Sequence, residues 1–369
     1  MTNKMAQETI KVDAKYDPIM TNFLSHYSGL PHNQRNHFIH YIGGLIENAN
    51  SNSTKMDESR IEGLSLLLQE STHARNWDAL NDVIGRLTVV SDVYKVLRPI
   101  VKKLVLLNNT DAIEELQKSI HHHHSVLVDH QQRQQRLQFS YESLWRPAFD
   151  VLSAAPNYVD TQRLLSTICS DLNARDMMSL FTQCLAKIDS KTSINGDFFQ
   201  HGYNHLLGKQ DCKDHYPQYI MFRYIGVLSQ EPLAPLLEQM CQSMPFKTVV
   251  EKGPSEDFLF PPEGEEWIDF LYNPPDEWDH NNWFQPAYLQ PNNRFLAVER
   301  TIALTKAFEH YGFSVALHEM PGIEWLRKNS GARLSEVHDQ WLTQRLLQEH
   351  LQQAVDGVSQ NATTTVRKI

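Results

Sequence analysis

Apolar residues return at intervals of three and four along much of this chain, and strict alternation of apolar and polar positions is scarce. Phe38, Ile42, Leu45 and Ile46 form one run, Trp77, Leu80, Val83, Ile84 and Leu87 a second, and Leu164, Leu165, Ile168 and Leu172 a third. A period of 3.6 residues lays each set along one face, so each run predicts an amphipathic helix with a buried stripe. Short polar side chains mark the breaks, as in residues 48–54 and 108–111. The second break offers N-caps to a helix running from about Asp111 past Gln135. Helical spacing resumes over residues 294–311, 314–328 and 335–355. No internal repeat at the periods of solenoid proteins stands out.

The pattern changes between Met244 and Asn293, where eight prolines fall together with Trp267, Trp278 and Trp283. Proline at that density forbids a long helix, while the tryptophans gain by burial. An ordered strap, placed to cover a pocket, is the expectation. The chain therefore reads as an all-α, multi-helix globular bundle. A flexible segment spans residues 1–16, a helical domain 17–243 and the Pro/Trp-rich strap 244–293. C-terminal helices packed on the same domain follow over 294–358, and a loose tail over 359–369.

A chain of 369 residues with 41% hydrophobic composition can bury a substantial core without staples. Cys169, Cys184, Cys212 and Cys241 lie far apart and form no C-x-x-C pair, which suggests neither a zinc knuckle nor a disulfide framework and fits a reducing compartment. The opening Met-Thr-Asn-Lys-Met-Ala-Gln-Glu lacks the apolar centre of a secretory signal, and no later stretch reaches bilayer-spanning length. A cytoplasmic protein without membrane contact is expected. The formal charge of -10 and the lack of a Lys/Arg cluster weigh against a nucleic-acid partner. Acidity is concentrated between Glu251 and Asp279, where ten carboxylates face the single Lys252, the composition of a solvated segment or of a loop that docks on a basic partner.

Eighteen histidines supply the candidate chemistry. His37 and His40 stand at i and i+3 of an expected helix, about one turn before Gly43 and Gly44, so two imidazoles share a face beside small residues that leave room for a ligand. His201 and His205 stand at i and i+4, a spacing at which two imidazoles can share a metal ion. Gly202 between them costs helix stability of about 1 kcal/mol relative to Ala, which hints at a close neighbour. His121, His122, His123 and His124 point around the whole of their helix and read as a solvated face, although Glu114/His121 and Glu115/His122 are spaced by two turns. The plain alternatives are core-edge histidines bonded to carbonyls for the first pair and polar surface for the second.

The segment Asn36-His37-Phe38-Ile39-His40, preceded by His26-Tyr27, resembles the amino-terminal N-H-x-x-H region of questin oxidase-like proteins. His201-Gly202-Tyr203-Asn204-His205-Leu206 is similar to their H-G-x-x-H-L element. Tyr41, Leu207 and Gly208 depart from that pattern. The resemblance implies an oxygenase of secondary metabolism that inserts oxygen beside a ketone of a polycyclic aromatic substrate, a Baeyer-Villiger type of step. Reaction with O2 needs a flavin, a redox metal or an electron-rich substrate. No G-x-G-x-x-G for a flavin or NAD and no G-x-x-x-x-G-K is present. Histidine chemistry is left, either on non-haem iron or as general bases toward a phenol.

His37, His40, His201 and His205 are accordingly expected around one pocket, as catalytic groups and, if a metal is bound, as its ligands. Asn36 would orient the substrate, and Phe38, Phe199 and Tyr203 would line the pocket. A haem-dependent helical oxygenase and a non-catalytic helical interaction protein are the two other readings. The latter is favoured by the Gln-rich amphipathic stretches 129–139 and 337–353.

Overall fold

A computed structural model describes residues 24–51, 58–88, 90, 93–133, 139–154, 160–189, 191, 193–252, 294–317 and 336–366. Among them are fourteen α-helices and no strand, so the chain is an all-α bundle. The chain divides into two compact units, one of residues 1–184 and 190–211, the other of residues 185–189 and 212–369. Among the described residues, no helix is long and apolar enough to cross a membrane.

The first unit contains α1 (His32–Ser51), α2 (Glu58–His73), α3 (Trp77–Leu87), α4 (Val93–Leu106), α5 (Thr110–Arg133), α6 (Tyr141–Leu152), α7 (Thr161–Cys169), most of α8 (Ala174–Ala186), and α9 (Gly196–Leu207). Alternate helices are neighbours. The odd helices pack in the order α1, α3, α5, α7, α9, and the even ones as α2 on α4 and α4 on α6. Helix α8 joins the even row through Ser179 Oγ, which donates to Glu142 Oε1 at 2.8 Å. The chain thus weaves between two layers, each helix burying one stripe against the other layer. Odd helices start at residues 32, 77, 110, 161 and 196, in unequal steps, so this stacking leaves no fixed period in the sequence.

The apolar stripes fall where the periodicity places them. Leu80, Val83, Ile84 and Leu87 of α3 are buried, as are Leu164, Leu165 and Ile168 of α7 and Phe38, Ile42 and Ile46 of α1. Caps start the helices. Asn76 accepts from Ala79 N, Asn109 from Ala112 N, Ser140 from Ser143 N and Asp160 from Arg163 N. Asn195 caps α9 through Phe198 N, and its Nδ2 donates to Leu152 O at 2.9 Å and Thr161 Oγ1 at 3.1 Å, tying the last odd helix to α6 and α7.

The second unit contains α10 (His215–Leu228), α11 (Ala234–Ser243), α12 (Phe246–Lys252), α13 (Arg294–His310) and α14 (Glu336–Val366). Helices α11, α12 and α13 pack on α10, and α14 on α13. The body expected over 17–243 is therefore split, because α10 to α12 bury their apolar faces with α13. Two boundaries also differ. Residues 246–252, expected within the strap, form α12, and α14 continues to Val366 through most of the expected tail. Strap residues 253–293 lie outside the described residues, as do 318–328 of the helix expected over 314–328, whose residues 314–316 are not helical.

Candidate functional site

Helix α1 buries Phe38 against Tyr27, ring centroids 5.2 Å apart, and leaves Asn36, His37 and His40 exposed. A Cβ added at Gly43 or Gly44 would meet no side chain within 4 Å. Phe38, expected to line a pocket, is instead core. The Tyr27 hydroxyl donates to Asp82, and burial followed by that carboxylate raises its pKa.

Helix α9 buries Phe198, Phe199, Gly202, Tyr203 and Leu206 and keeps His201 and His205 half-buried. The aromatic side chains here fill space. Phe199 meets Phe181 at 5.6 Å and Phe198 at 4.9 Å, and Phe198 meets Phe149 at 5.5 Å, all with near-perpendicular rings. Phe199 and Tyr203, expected as pocket lining, are thus packed in the core. The close neighbour of Gly202 is the Phe181 ring, 3.3 Å from where a Cβ would stand. Burial lowers the pKa of His205, aided by the charges of Lys209 and His201, so its imidazole is kept neutral.

The structure brings the members of each histidine pair together and leaves the pairs apart. Helices α1 and α9 are the first and last of the odd row, with α3, α5 and α7 between them. A straight row with four interhelical steps of 8–10 Å would set their axes roughly 30 Å or more apart. Among the described residues, no three His, Cys, Asp or Glu side chains could hold one metal ion. His37, His40, His201 and His205, expected as ligands if a metal is bound, are not among any such group, and their two helices are linked through α3, α5 and α7.

Helix α5, in the middle of the row, carries the most organised polar cluster. His121 Nε2 stands 2.8 Å from Asp171 Oδ1; the carboxylate side chain is 1% exposed and the imidazole 52%. Asp171 Oδ2 accepts a hydrogen bond of 3.0 Å from Nε1 of the fully buried Trp145. Burial pushes the Asp171 carboxyl above its usual range, against the lowering pull of Gln117, His121 and Trp145. Rings gather beside the pair. His121 packs edge-on to Tyr141 at 5.6 Å, His124 stacks on Tyr141 at 5.5 Å, and Phe139 touches both His124 and Tyr141. Tyr94 stacks on Phe139 at 5.7 Å, and its hydroxyl accepts from Ser140 N. The Tyr141 hydroxyl lies 3.3 Å from His124 Nδ1 and is pushed up to about 12, by burial and then by the charge of Asp171.

The neighbouring imidazole is also in use. His123 packs against Gly85, where a Cβ would come within 2.9 Å of its ring, and burial lowers its pKa. The two carboxylates spaced two turns before His121 and His122 have cationic partners: Glu114 lies 3.8 Å from Arg163, and Glu115 bonds Lys118 at 2.5 Å. Sequence reasoning missed Asp171 and Trp145. The available signal was a tryptophan on the apolar face of α6, whose ring N–H needs an acceptor once buried.

No family model matches the chain, no curated protein matches it in sequence, and no solved structure matches it in fold. The questin oxidase-like resemblance therefore rests on its two short motifs alone.

Proposed function

We propose that the chain is a helical binding scaffold whose first unit receives a protein partner on the α5 face, at His121, His124 and Tyr141. One observation carries this reading: an exposed imidazole stands 2.8 Å from a buried carboxylate that is itself bonded to a buried indole. Burying a carboxylate is costly unless it is satisfied. Here one oxygen is satisfied by the indole and the other stands beside a ring at the surface, which narrows the orientations that ring samples before a partner docks. The half-buried rings beside it touch one another and form one aromatic cluster next to the exposed imidazole. Aromatic, polar-tipped patches of this kind anchor protein interfaces. A photoreactive phenylalanine derivative at Tyr141 tests the reading. Irradiation in an extract of the source cells is expected to give a discrete protein adduct that His121→Ala and His124→Ala remove. Labelling no stronger than at exposed Lys118 would refute it.

A second reading, the oxygenase of an aromatic substrate, is supported by the neutral His205 imidazole beside His201, which suits a general base toward a phenol. Oxygen uptake with planar phenolic ketones tests it. His201→Ala or His205→Ala is expected to abolish turnover with the fold intact, and retained turnover in both would refute it.

A further inference from the structure

Between Gln340 and Asp356, helix α14 is buried along one face. Leu342 and Leu346 lie in the core of the second unit. Arg345 turns the same way, donating from Nη2 to Val315 O at 3.2 Å with Glu309 and Glu349 as carboxylate partners. On the other side Leu347, Leu351 and Val355 are 58%, 59% and 59% exposed. Side chains at i, i+4 and i+8 line one helix face, so these three make a continuous apolar stripe. Gln344, Gln348, Gln352 and Ala354 flank it, all exposed. Between Gln340 and Asp356, the half-circumference centred on Leu351 carries no Asp, Glu, Lys or Arg.

We infer that this stripe pairs with the same stripe of a second copy of the chain, the two α14 helices running antiparallel. The chemistry of the face selects a copy of itself. Two chains of formal charge -10 repel wherever acidic surface meets, and this face holds no charge to oppose the approach. Its glutamine flanks are amides that donate and accept equally, so such a row is complementary to itself, whereas a charged row would call for a partner of opposite sign. The apolar positions are also symmetric about Leu351. A twofold axis there sets Leu351 on Leu351 and Leu347 on Val355 twice, the isologous contact that closes a dimer.

Sedimentation equilibrium of the full chain from about 1 to 100 μM tests the pairing. The expected species at the upper end has twice the 42.7 kDa chain mass. Leu351→Glu places two carboxylates on the axis and is expected to raise the dissociation constant about a hundredfold or more. Its circular dichroism should match the parent, because Leu351 is exposed. A 42.7 kDa species at every concentration overturns the inference. So does a dimer indifferent to Leu351→Glu.

Cysteine crosslinking in a Cys212→Ser background reports the orientation without relying on that variant. Under mild oxidation a mixture of Leu347→Cys and Val355→Cys chains is expected to form a heterodimeric disulfide, and Leu347→Cys alone is not. The opposite outcome would overturn the antiparallel sense.

Discussion

Removing the Asp171 carboxylate tests how the α5 cluster is held. In Asp171→Ala the Trp145 Nε1–H loses its acceptor at 3.0 Å while the indole stays fully buried. An orphaned buried donor costs about 1–3 kcal/mol. The contact with His121 adds little, since that imidazole is 52% exposed and solvent screens the pair. At about 2–4 °C per kcal/mol for a unit of this size, the thermal midpoint should fall by about 2–12 °C. Trp145→Phe removes the donor as well, so Asp171→Ala should cost about 1–2 kcal/mol less in that background than in the wild type.

Asp171→Asn separates the charge from the bond. Because the folded carboxyl titrates above the ordinary 3.8, wild-type stability from this group is complete below that value and is lost as pH rises through the raised one. Asparagine keeps an acceptor for Trp145 without the buried charge. It should match or exceed wild type at pH 7, with the advantage vanishing as pH falls toward the ordinary carboxyl value of 3.8. Urea midpoints of the four single and double variants, followed by far-UV circular dichroism, supply the comparison. Equal costs for Asp171→Ala with and without Trp145 would refute the reasoning.

Two further outcomes follow from the same geometry. At Gly202 the Phe181 ring lies 3.3 Å from a would-be Cβ, so Gly202→Ala should change stability by less than about 1 kcal/mol, helix propensity offsetting the squeeze. Gly202→Val, which adds volume against the same ring, should cost about 1–3 kcal/mol by urea denaturation. Burial lowers the pKa of both His123 and His205, so their contribution to stability is complete above 6.5 and is lost as pH falls through the lowered values. The slope of thermal midpoint against pH between 7 and 5 should accordingly be less positive in His123→Gln than in wild type, and identical slopes would contradict the assignment.

The helices were legible because their stripes are local: Leu80, Val83, Ile84 and Leu87 share a face by spacing alone, and Asn109 announces its helix as a cap. The close packing at Gly202 was legible for the same reason, as a helix-weakening residue with no local use. The layered stack was not, because it depends on contacts between helices 33 or more residues apart whose starts follow no period. Nor was the fate of the histidines. Spacing places His201 beside His205, but only the order of helices in the layer separates them from His37 and His40. Asp171 and His121 lie fifty residues apart and share no motif, so nothing local joined them.

The order of helices in that layer underlies everything said of the candidate sites, and it can be measured as one distance. Nitroxide labels at Asn36→Cys on α1 and Leu207→Cys on α9, with Cys212→Ser, report it by pulsed dipolar spectroscopy. Stacking through α3, α5 and α7 predicts a separation of about 30 Å or more. A distribution centred below about 20 Å, two helix spacings, would mean that the histidine pairs close on a common cavity and would contradict the layered arrangement.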